Sequence, residues 1–319
     1  MRRLLFDHFT VALLLAVLLA TLLPAQGQVA DVLNGITYVA IMVLFFLHGA
    51  RLSRHAIVAG AGHWRLHLLV FALTFGLFPL LGLLLYPLFV PLLGAELYLG
   101  VYFLCALPAT VQSAIAFTSI ARGNLAAAVC SASASSLLGI LITPLLVQLL
   151  LGQQGQSGSL AAAVGAITVQ LLLPFMVGHL LRPWIGGWLQ QRAAMLVWVD
   201  QGTILLVVYS AFAMAVLADL WSVVPWHALL GLLLFSALLL TIVLVSVWRL
   251  SGWLGFAYED RITILFCGSK KSLATGVPMA KVLFPAAQVG IMLLPILIFH
   301  QLQLMVCAVI ARRLGDRPD

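Results

Sequence analysis

The sequence CGSKKSLATGVP, from Cys267 to Pro278, determines the interpretation of the whole chain. It places two adjacent lysines, Lys270 and Lys271, inside an apolar run of residues 262–284 that is long enough to cross a bilayer as a helix. A lysine at membrane depth costs about 2.5 to 3.5 kcal/mol, so it needs a counter-charge, a water-filled cavity or a ligand. Glycine and proline interrupt the helix here, and broken backbone at this depth must be buried in protein or line a cavity. The stretch therefore predicts a binding site for a small solute.

The composition is that of a polytopic membrane protein. The chain has 319 residues, of which 64% are hydrophobic and 8% charged, and its mean hydropathy is +1.17. The net charge of +7 does not indicate nucleic acid binding, because no basic cluster with interleaved aromatic residues lies outside the apolar runs. The four cysteines all lie in apolar runs without metal-ligand spacing. No HExxH, GxSxG or P-loop pattern occurs, so we expect neither an enzyme nor a resident cofactor.

Ten apolar segments predict ten transmembrane helices in an all-α protein. They cover residues 8–23, 31–50, 67–90, 97–121, 125–151, 159–181, 195–218, 227–250, 262–284 and 287–311. Only the boundary Gln153–Ser159, at the midpoint of the chain, has the composition of a flexible linker. The first segment follows Arg2 and Arg3 and resembles a signal peptide, but Asp7 in its basic region predicts that it is retained as a helix.

The basic residues predict the orientation of the segments. With a cytoplasmic N-terminus, every arginine falls on the cytoplasmic side and both termini are cytoplasmic. The arginines are Arg2, Arg3, Arg51, Arg54, Arg65, Arg122, Arg182, Arg192, Arg249, Arg261, Arg312, Arg313 and Arg317. The remaining basic residues, Lys270, Lys271 and Lys281, lie in the ninth segment, where Lys281 is close enough to the outer end to snorkel. A compact chain of this kind fits a bacterial inner membrane.

Five segments on each side of the central linker predict an inverted-topology repeat, with residues 1–152 as the first repeat and 153–319 as the second. In such transporters the substrate lies at discontinuous helices that correspond between the repeats. The fourth segment contains the polar, proline-marked patch Leu107–Ala114, and the ninth contains the lysine motif. The fourth segments of both halves are thus predicted to be broken, which favours a transporter.

Polar residues of the fourth, fifth and ninth segments are the candidate ligands. Lys270 and Lys271 point about 100° apart on an ideal helix, so both face one cavity only where the helix is unwound. We expect at least one of them to bind an anionic solute or to take the place of a metal cation. Hydroxyl and amide oxygens suit Na⁺ or a solute, although small hydroxyl residues in membrane helices often serve close packing instead. These candidates are Thr110, Gln112, Ser113, Asn124, Ser131, Ser133, Ser269 and Ser272.

Asp200 carries the only carboxylate that is predicted to lie within a segment. It is either a helix-start carboxylate at the membrane interface or a functional group, as a counter-charge for a buried lysine or a site of proton coupling. The histidines of apolar faces, His48, His179 and His300, are expected to be structural.

Together these features resemble the bile acid:sodium symporter family, and in particular its divergent branch described as sodium/bile acid cotransporter 7-like. The resemblance covers nearly the whole chain. It rests on the ten segments, the interrupted fourth and ninth segments, the sequence Ala121–Asn124 before a serine-rich fifth segment, and the motif Gly268–Ser272. It implies a core domain with crossing, broken helices, a panel domain that moves against it, and alternating-access transport of an organic anion, usually with Na⁺.

One departure from the family concerns the cation sites. In sodium-coupled members the ninth helix brings a Glu and, four residues on, a Gln and an Asn to two Na⁺ sites, whereas Phe266–Ser272 has no carboxylate. Lys270 and Lys271 fall about where the Gln and Asn would be, and Ala128 and Ala132 replace expected oxygens of the fifth helix. Because an ammonium group repels Na⁺ strongly at low dielectric, the departure weighs against Na⁺ coupling. Our hypothesis is that a lysine fills the cation position, permanently or by protonation.

The sequence therefore predicts a secondary active transporter of a small organic anion that works by alternating access in a lipid bilayer. The predicted site lies between Pro108–Ser113 and Ser269–Ser272, and the candidate coupling ions are Na⁺ and H⁺. Two alternatives stay open: a membrane regulator that does not transport, and a transporter of Na⁺ or H⁺ alone on the same fold. The sequence leaves the solute and the oligomeric state open.

Overall fold

The chain is helical throughout the parts that the structure describes. The structure is a computed structural model, which describes residues 8–52, 62–151 and 165–316, and no strand occurs in these ranges. Seven of the described helices are long and apolar enough to cross a membrane, by length and composition. An all-α, multi-pass architecture is thus confirmed. The linker Gln153–Ser159, the repeat boundary at 152, and Arg2, Arg3, Asp7, Arg54 and Arg317 lie outside the described residues.

Thirteen helices occur in the described ranges, and most coincide with the predicted segments. They are α1 (His8–Leu22), α2 (Gly27–Arg51), α3 (Trp64–Leu93), α4 (Ala95–Ala106), α5 (Gln112–Ile120), α6 (Leu125–Leu151), α7 (Leu173–Gln191), α8 (Ala193–Leu217), α9 (Leu220–Val223), α10 (Trp226–Trp253), α11 (Tyr258–Gly268), α12 (Leu273–Leu283) and α13 (Ala286–Gly315). The fourth predicted segment is divided into α4 and α5, and the ninth into α11 and α12. Both breaks lie where the sequence placed them.

The sixth segment needs a correction, because α7 continues to Gln191 whereas the sequence predicted an end at residue 181. Arg182 and Pro183 end the continuous apolar run and suggested a loop. The helix continues because Leu189 and Ile185 pack against Leu47 and Ala50 of α2 in a buried apolar cluster. This tertiary contact outweighs the local signal of Pro183.

The contacts divide the described residues into two compact units. Unit 1 takes in the described parts of 1–52, 152–224 and 277–293, and unit 2 those of 53–151, 225–276 and 294–319. The bounds of these units differ from those of the predicted repeats, 1–152 and 153–319. The two divisions can coexist, because a repeat is a symmetry relation along the chain and need not form a compact body. The repeats stay a prediction.

In unit 1, α2 and α7 cross with their backbones in direct contact. A Cβ added at Gly49 would meet the carbonyl of Phe175, and one added at Gly178 would meet the carbonyl of Phe46. Each helix thus presents a glycine to the backbone of the other. Such reciprocal small-residue contacts are a common way to bring membrane helices together, since lipid offers no hydrophobic driving force between them.

Two π-helical turns interrupt the described helices, one at Leu73–Leu77 inside α3 and one at Thr168–Leu172 before α7. Each is followed by a proline, Pro79 or Pro174, in the first turn of the next helical segment. Proline has no N–H to donate and its ring collides with the preceding turn, so the helix adjusts its register there. In unit 2 the π turn leaves the carbonyl of Thr74 without a donor from its own helix, and the candidate site uses that carbonyl.

Candidate functional site

The site is built around the end of α4, where Pro108 stops the helix because it lacks an N–H and cannot continue the ladder. The last carbonyls of a helix need other donors. In a continuous helix the N–H of Ala109 would donate to Cys105 O. Here it donates to Ser135 Oγ at 3.1 Å. Ala106 O accepts from Thr143 Oγ1 at 2.9 Å. Cys105 O and Leu107 O therefore remain able to accept hydrogen bonds from the break between α11 and α12.

The two helix breaks of unit 2 meet at this point. The backbone N–H of Ser272, between α11 and α12, donates to Pro108 O at 2.9 Å. α6 also packs closely against the first of these breaks at Gly139, where a Cβ would lie 2.5 Å from the Pro108 side chain. The predicted site residues of the fourth and ninth segments are thus neighbours in space.

Lys271 closes the break with its ammonium group. Its Nζ donates to Cys105 O at 2.8 Å, to Leu107 O at 2.7 Å and to Thr74 O at 2.7 Å, and its side chain is buried. It also lies 4.1 Å from the ring centre of Phe78. Each hydrogen bond from a charged donor contributes about 1.5 to 3 kcal/mol, which offsets the several kcal/mol that burying the charge costs. We call this arrangement the carbonyl cage.

The third oxygen of the carbonyl cage comes from the π-helical turn in α3. The N–H of Phe78 donates to Leu73 O, five residues back, instead of to Thr74 O. The next residue that could reach Thr74 O is Pro79, which has no N–H. The carbonyl of Thr74 is therefore free to accept from Lys271, and the position of a proline explains the geometry.

Gln303 of α13 fixes the backbone of Lys271. Its Oε1 accepts from the Lys271 N–H at 2.8 Å and its Nε2 donates to the Lys271 carbonyl at 2.8 Å. The two backbone groups settle the orientation of the amide, because one only donates and the other only accepts. The amide also donates to His300 Nδ1 at 2.9 Å, which makes that nitrogen an acceptor. Lys271 is thus held at both its main chain and its side chain.

Lys270 lies in a different environment, although it is also fully buried. Its Nζ donates to Ser113 Oγ at 3.3 Å and lies 4.3 Å from the ring centre of Phe117 and 5.7 Å from that of Phe266. Ser113 Oγ in turn donates to Thr110 Oγ1 at 2.8 Å. We call this the aromatic pocket. Within the described ranges, no carboxylate contacts either lysine ammonium.

The remaining hydroxyl groups of the ninth segment stabilise the break. Ser272 caps α12, since its Oγ accepts from the N–H of Thr275 at 3.2 Å and pairs with Thr275 Oγ1 at 3.0 Å. Ser269 donates back to the carbonyl of Leu265 in α11. Both of these predicted site residues are at the break, in capping roles.

Four further predicted ligands lie at the start of α5, directly before α6 and within α6. Asn124 caps α6 by accepting from the N–H of Ala127 at 3.1 Å, and its amide donates to Asp260 at 2.9 Å. Ser131 pairs with His67 Nδ1 at 2.6 Å. Ser133 is half-buried and Gln112 is exposed. Asn124 caps α6 in this arrangement, and the ligand roles predicted for Asn124, Ser131, Ser133 and Gln112 stay predictions.

Asp200 lies in unit 1 and is nearly buried, with 5% of its surface exposed. Arg51 Nη1 donates to its Oδ2 at 2.6 Å, and His48 Nε2 lies 3.6 Å from Oδ1. Arg51 is thus a counter-charge of Asp200, and the predicted roles of Asp200 toward a lysine or in proton coupling stay predictions. Lys281, which was expected to snorkel, is half-buried and donates to Asn34 Oδ1 at 3.0 Å.

Sequence reasoning missed several groups that form the site. The polar residue Gln303 was visible as an amide in an apolar segment, and this signal could have identified it. His300 was assigned a structural role, which its contact with Gln303 supports. The carbonyls of Thr74 and Cys105 carry no side-chain signal at all, because they are backbone groups freed by the local helix geometry.

Comparisons with known proteins agree with this architecture. A model of the SBF-like CPA transporter family matches residues 7–316. The chain is 61% identical over 317 residues to "Uncharacterized protein PA2026" of Pseudomonas aeruginosa, covering 99% of this chain and 95% of that protein. It is 55% identical over 308 residues to "Putative symporter YfeH" of Escherichia coli (strain K12), covering 96% and 92%. It is 28% identical over 320 residues to "Sodium/bile acid cotransporter 7" of Rattus norvegicus, covering 95% and 91%.

These matches cover nearly the full length of both partners in each comparison. The resemblance to bile acid:sodium symporters that the motifs indicated is confirmed, and the chain belongs to the SBF-like CPA transporter family.

Proposed function

We propose that the protein is a secondary active transporter of a small organic anion, which works by alternating access and binds the solute beside the two helix breaks. One observation carries the proposal: two broken helices meet at a pair of buried lysine ammonium groups, with no carboxylate in contact among the described residues. Buried positive charge of this kind favours an anionic ligand.

The local backbone supports the same class of ligand. Both α5 and α12 begin at the break, and the first turn of a helix carries N–H groups without intrahelical partners. Broken helices that begin near a site attract anionic groups in transporters with inverted repeats. We accordingly propose the five-plus-five inverted repeat of ten membrane segments, with α4–α5 corresponding to α11–α12.

We further propose that Na⁺ is not bound at the position of the lysines. The carbonyl cage supplies three oxygens of the kind that hold a monovalent cation, and the Lys271 ammonium takes that place. An additional cation there would be repelled by a fixed charge within a few Å. Coupling by Na⁺, where it occurs in relatives named sodium/bile acid cotransporters, would need other residues in this chain.

Solute counterflow in proteoliposomes tests the transport proposal. Liposomes loaded with an unlabelled organic anion should accumulate the labelled form transiently, and the test panel includes taurocholate and small monocarboxylates. Liposomes with Lys270→Met protein are the matched control, because that variant removes one of the two charges at the break. Absence of counterflow for the whole panel would favour a regulator, and current without any organic solute would favour a transporter of ions alone.

The melting temperature in NaCl and in choline chloride, at equal ionic strength, tests the role of the lysines. A ligand that binds only the folded state raises the melting temperature by mass action. We expect no Na⁺-specific rise in the wild type. A clear rise would mean that the folded protein holds a Na⁺ site, formed by residues other than the three carbonyls that Lys271 contacts.

We also propose a bacterial inner membrane location with both termini in the cytoplasm. The distribution of arginines supports this orientation. Cysteine substitutions in the loop at Gly94 and near the C-terminus, in a background without the four native cysteines, would test it. A membrane-impermeant thiol reagent added to intact cells should label the first position and not the second.

A further inference from the structure

The acceptors around Lys271 determine its protonation state. A carbonyl oxygen can only accept a hydrogen bond, and three of them lie within 2.8 Å of Nζ. An ammonium has three N–H groups, one for each oxygen. A neutral amine has two N–H groups and a lone pair, which would face a carbonyl oxygen and repel it. The geometry therefore favours the protonated form of Lys271.

The partners of Lys270 fit both protonation states. Ser113 is a hydroxyl, which can accept from an ammonium or, by rotating, donate to the lone pair of an amine. The rings of Phe117 and Phe266 attract an ammonium and tolerate an amine. Loss of the proton from Lys270 leaves no buried carbonyl without a donor.

The surroundings of Lys270 favour exchange of a proton over binding of a metal ion. The side chain is fully buried, and Ser113 Oγ is the only oxygen in contact with its Nζ among the described residues. A Na⁺ ion at this depth would need several oxygen ligands. A proton binds to Nζ alone and needs only a route to water. The titratable groups that interact with the Lys270 ammonium are the thiols of Cys267 on α11 and Cys307 on α13 and the imidazole of His300 on α13.

The next residue along the chain adds a second reason for exchange. The carbonyl cage favours a positive charge on Lys271, and a like charge nearby disfavours a second ammonium. No carboxylate contacts Lys270 from α5, α11 or α13 in the described part of the chain. The charge of Lys270 is therefore marginal, while that of Lys271 is fixed.

We propose that Lys270 is the proton-binding group of the transporter, so that protons take the coupling role that Na⁺ has elsewhere, while Lys271 acts as a built-in cation. On release, one N–H bond of the ammonium breaks, the electron pair stays on Nζ and the proton passes to water. Uptake from the opposite side reverses the step. This inference rests on the proposed function for its coupling role, but not for the protonation itself.

The exchange acts directly on the helix break. Ser113 and Thr110 form a chain of hydroxyl groups at the start of α5, and the charge of Lys270 determines the direction of their hydrogen bonds. The backbone beside Lys270 is joined to Pro108 through Ser272. A change in charge thus alters the part of the structure where we place the solute.

Nitrogen-15 NMR of lysine side chains tests the inference, because the chain contains only three lysines, Lys270, Lys271 and Lys281. The shift of Nζ differs between amine and ammonium, so a lysine-labelled sample gives three signals that each report one protonation state. Lys281→Arg and Lys270→Arg assign two of them by elimination. If Lys270→Arg does not fold, Ser113→Ala identifies Lys270, since only its Nζ contacts that hydroxyl among the described residues.

We expect the Lys270 signal to pass from ammonium to amine between about pH 5.5 and about pH 9, a range in which an ordinary lysine stays charged. The Lys271 signal should stay at the ammonium position throughout. A Lys270 signal that does not change, or a Lys271 signal that does, overturns the inference. Counterflow needs no proton gradient and the titration needs no solute, so failure of the transport proposal is distinguishable from failure of this one.

Discussion

Two adjacent lysines lie at one helix break, Lys271 in the carbonyl cage and Lys270 in the aromatic pocket, and these environments stabilise a positive charge to different degrees. Lys271 has three backbone oxygens for its three N–H groups, whereas Lys270 has one hydroxyl and two ring faces. Equal burial therefore does not mean equal dependence on charge. The number and kind of acceptors decide whether a buried ammonium is a structural element or an exchangeable group.

The largest expected effect comes from Lys271→Met compared with Lys270→Met. Methionine keeps much of the side-chain volume, but at Lys271 it leaves three buried carbonyls without donors. Each unsatisfied buried group costs about 1 to 3 kcal/mol, so we expect a loss of about 3 kcal/mol or more in stability. At Lys270 the lost hydrogen bond and ring contacts are offset by the removal of a buried charge, and we expect a change within about 1 kcal/mol.

Thermal unfolding in detergent, followed by tryptophan fluorescence, measures this difference. The melting temperature should fall markedly for Lys271→Met and little for Lys270→Met. Similar falls for both variants would remove the distinction between the carbonyl cage and the aromatic pocket.

A second prediction is chemical rescue of Lys271→Ala. Truncation removes three carbons and the nitrogen, which are the heavy atoms of n-propylammonium. This ion should enter the carbonyl cage and raise the melting temperature of the variant, by about 2.7 kcal/mol of stability at a concentration of 100 times its dissociation constant. Propanol has the same size without the charge, and choline is too bulky, so neither should restore the melting temperature. Rescue by propanol would show that packing, and not charge, is what the site requires.

A smaller effect is expected at Gln303. In Gln303→Leu the N–H of Lys271 loses its partner and the C=O keeps only the long contact with His300 Nδ1 at 3.5 Å, which we expect to destabilise the protein by about 2 kcal/mol. Gln303→Glu keeps an acceptor for the N–H but cannot donate to the carbonyl when ionised, and should cost a similar amount. Melting temperatures check this, with Gln288→Leu, at an exposed position of the same helix, as the control. An unchanged melting temperature for Gln303→Leu would mean that the carbonyl cage alone holds Lys271 in place.

The smallest expected effect concerns the approach of α6 to the break. Gly139→Ala places a methyl group 2.5 Å from the Pro108 side chain, which should cost about 1 kcal/mol after the better helix propensity of alanine is counted. Gly202→Ala is the matched control, because nothing lies within 4 Å of the added methyl group in α8. It should leave stability unchanged or raise it by about 0.5 to 1 kcal/mol. Equal effects of the two substitutions would contradict the close packing seen at Pro108.

The sequence predicted both breaks, because proline at 108 and a lysine pair between glycines are visible signals in apolar segments. It could not assign roles to Lys270 and Lys271, since helical phase no longer applies where the backbone is unwound. Asn124 was predicted as a ligand, which stays a prediction, and its N-cap role could also have been predicted because an Asn directly before a helix is a standard N-cap. Asp200 was ambiguous because its partner Arg51 is 149 residues away in the chain.

The π-helical turn of α3 has a consequence for how the site can change through evolution. A π turn is equivalent to one residue inserted into an α-helix, and the Thr74 acceptor depends on the backbone and on Pro79, not on the Thr74 side chain. Substitutions at Thr74 therefore preserve the carbonyl cage. Deletion of a single codon between Thr74 and Phe78 would convert the π turn into an α turn, in which Leu73 O keeps Phe78 as its donor and Thr74 O faces Pro79, which has no N–H. The acceptor of Lys271 would therefore survive the loss of the π turn, whereas a residue other than proline at position 79 of the shortened chain would supply an N–H that competes for it.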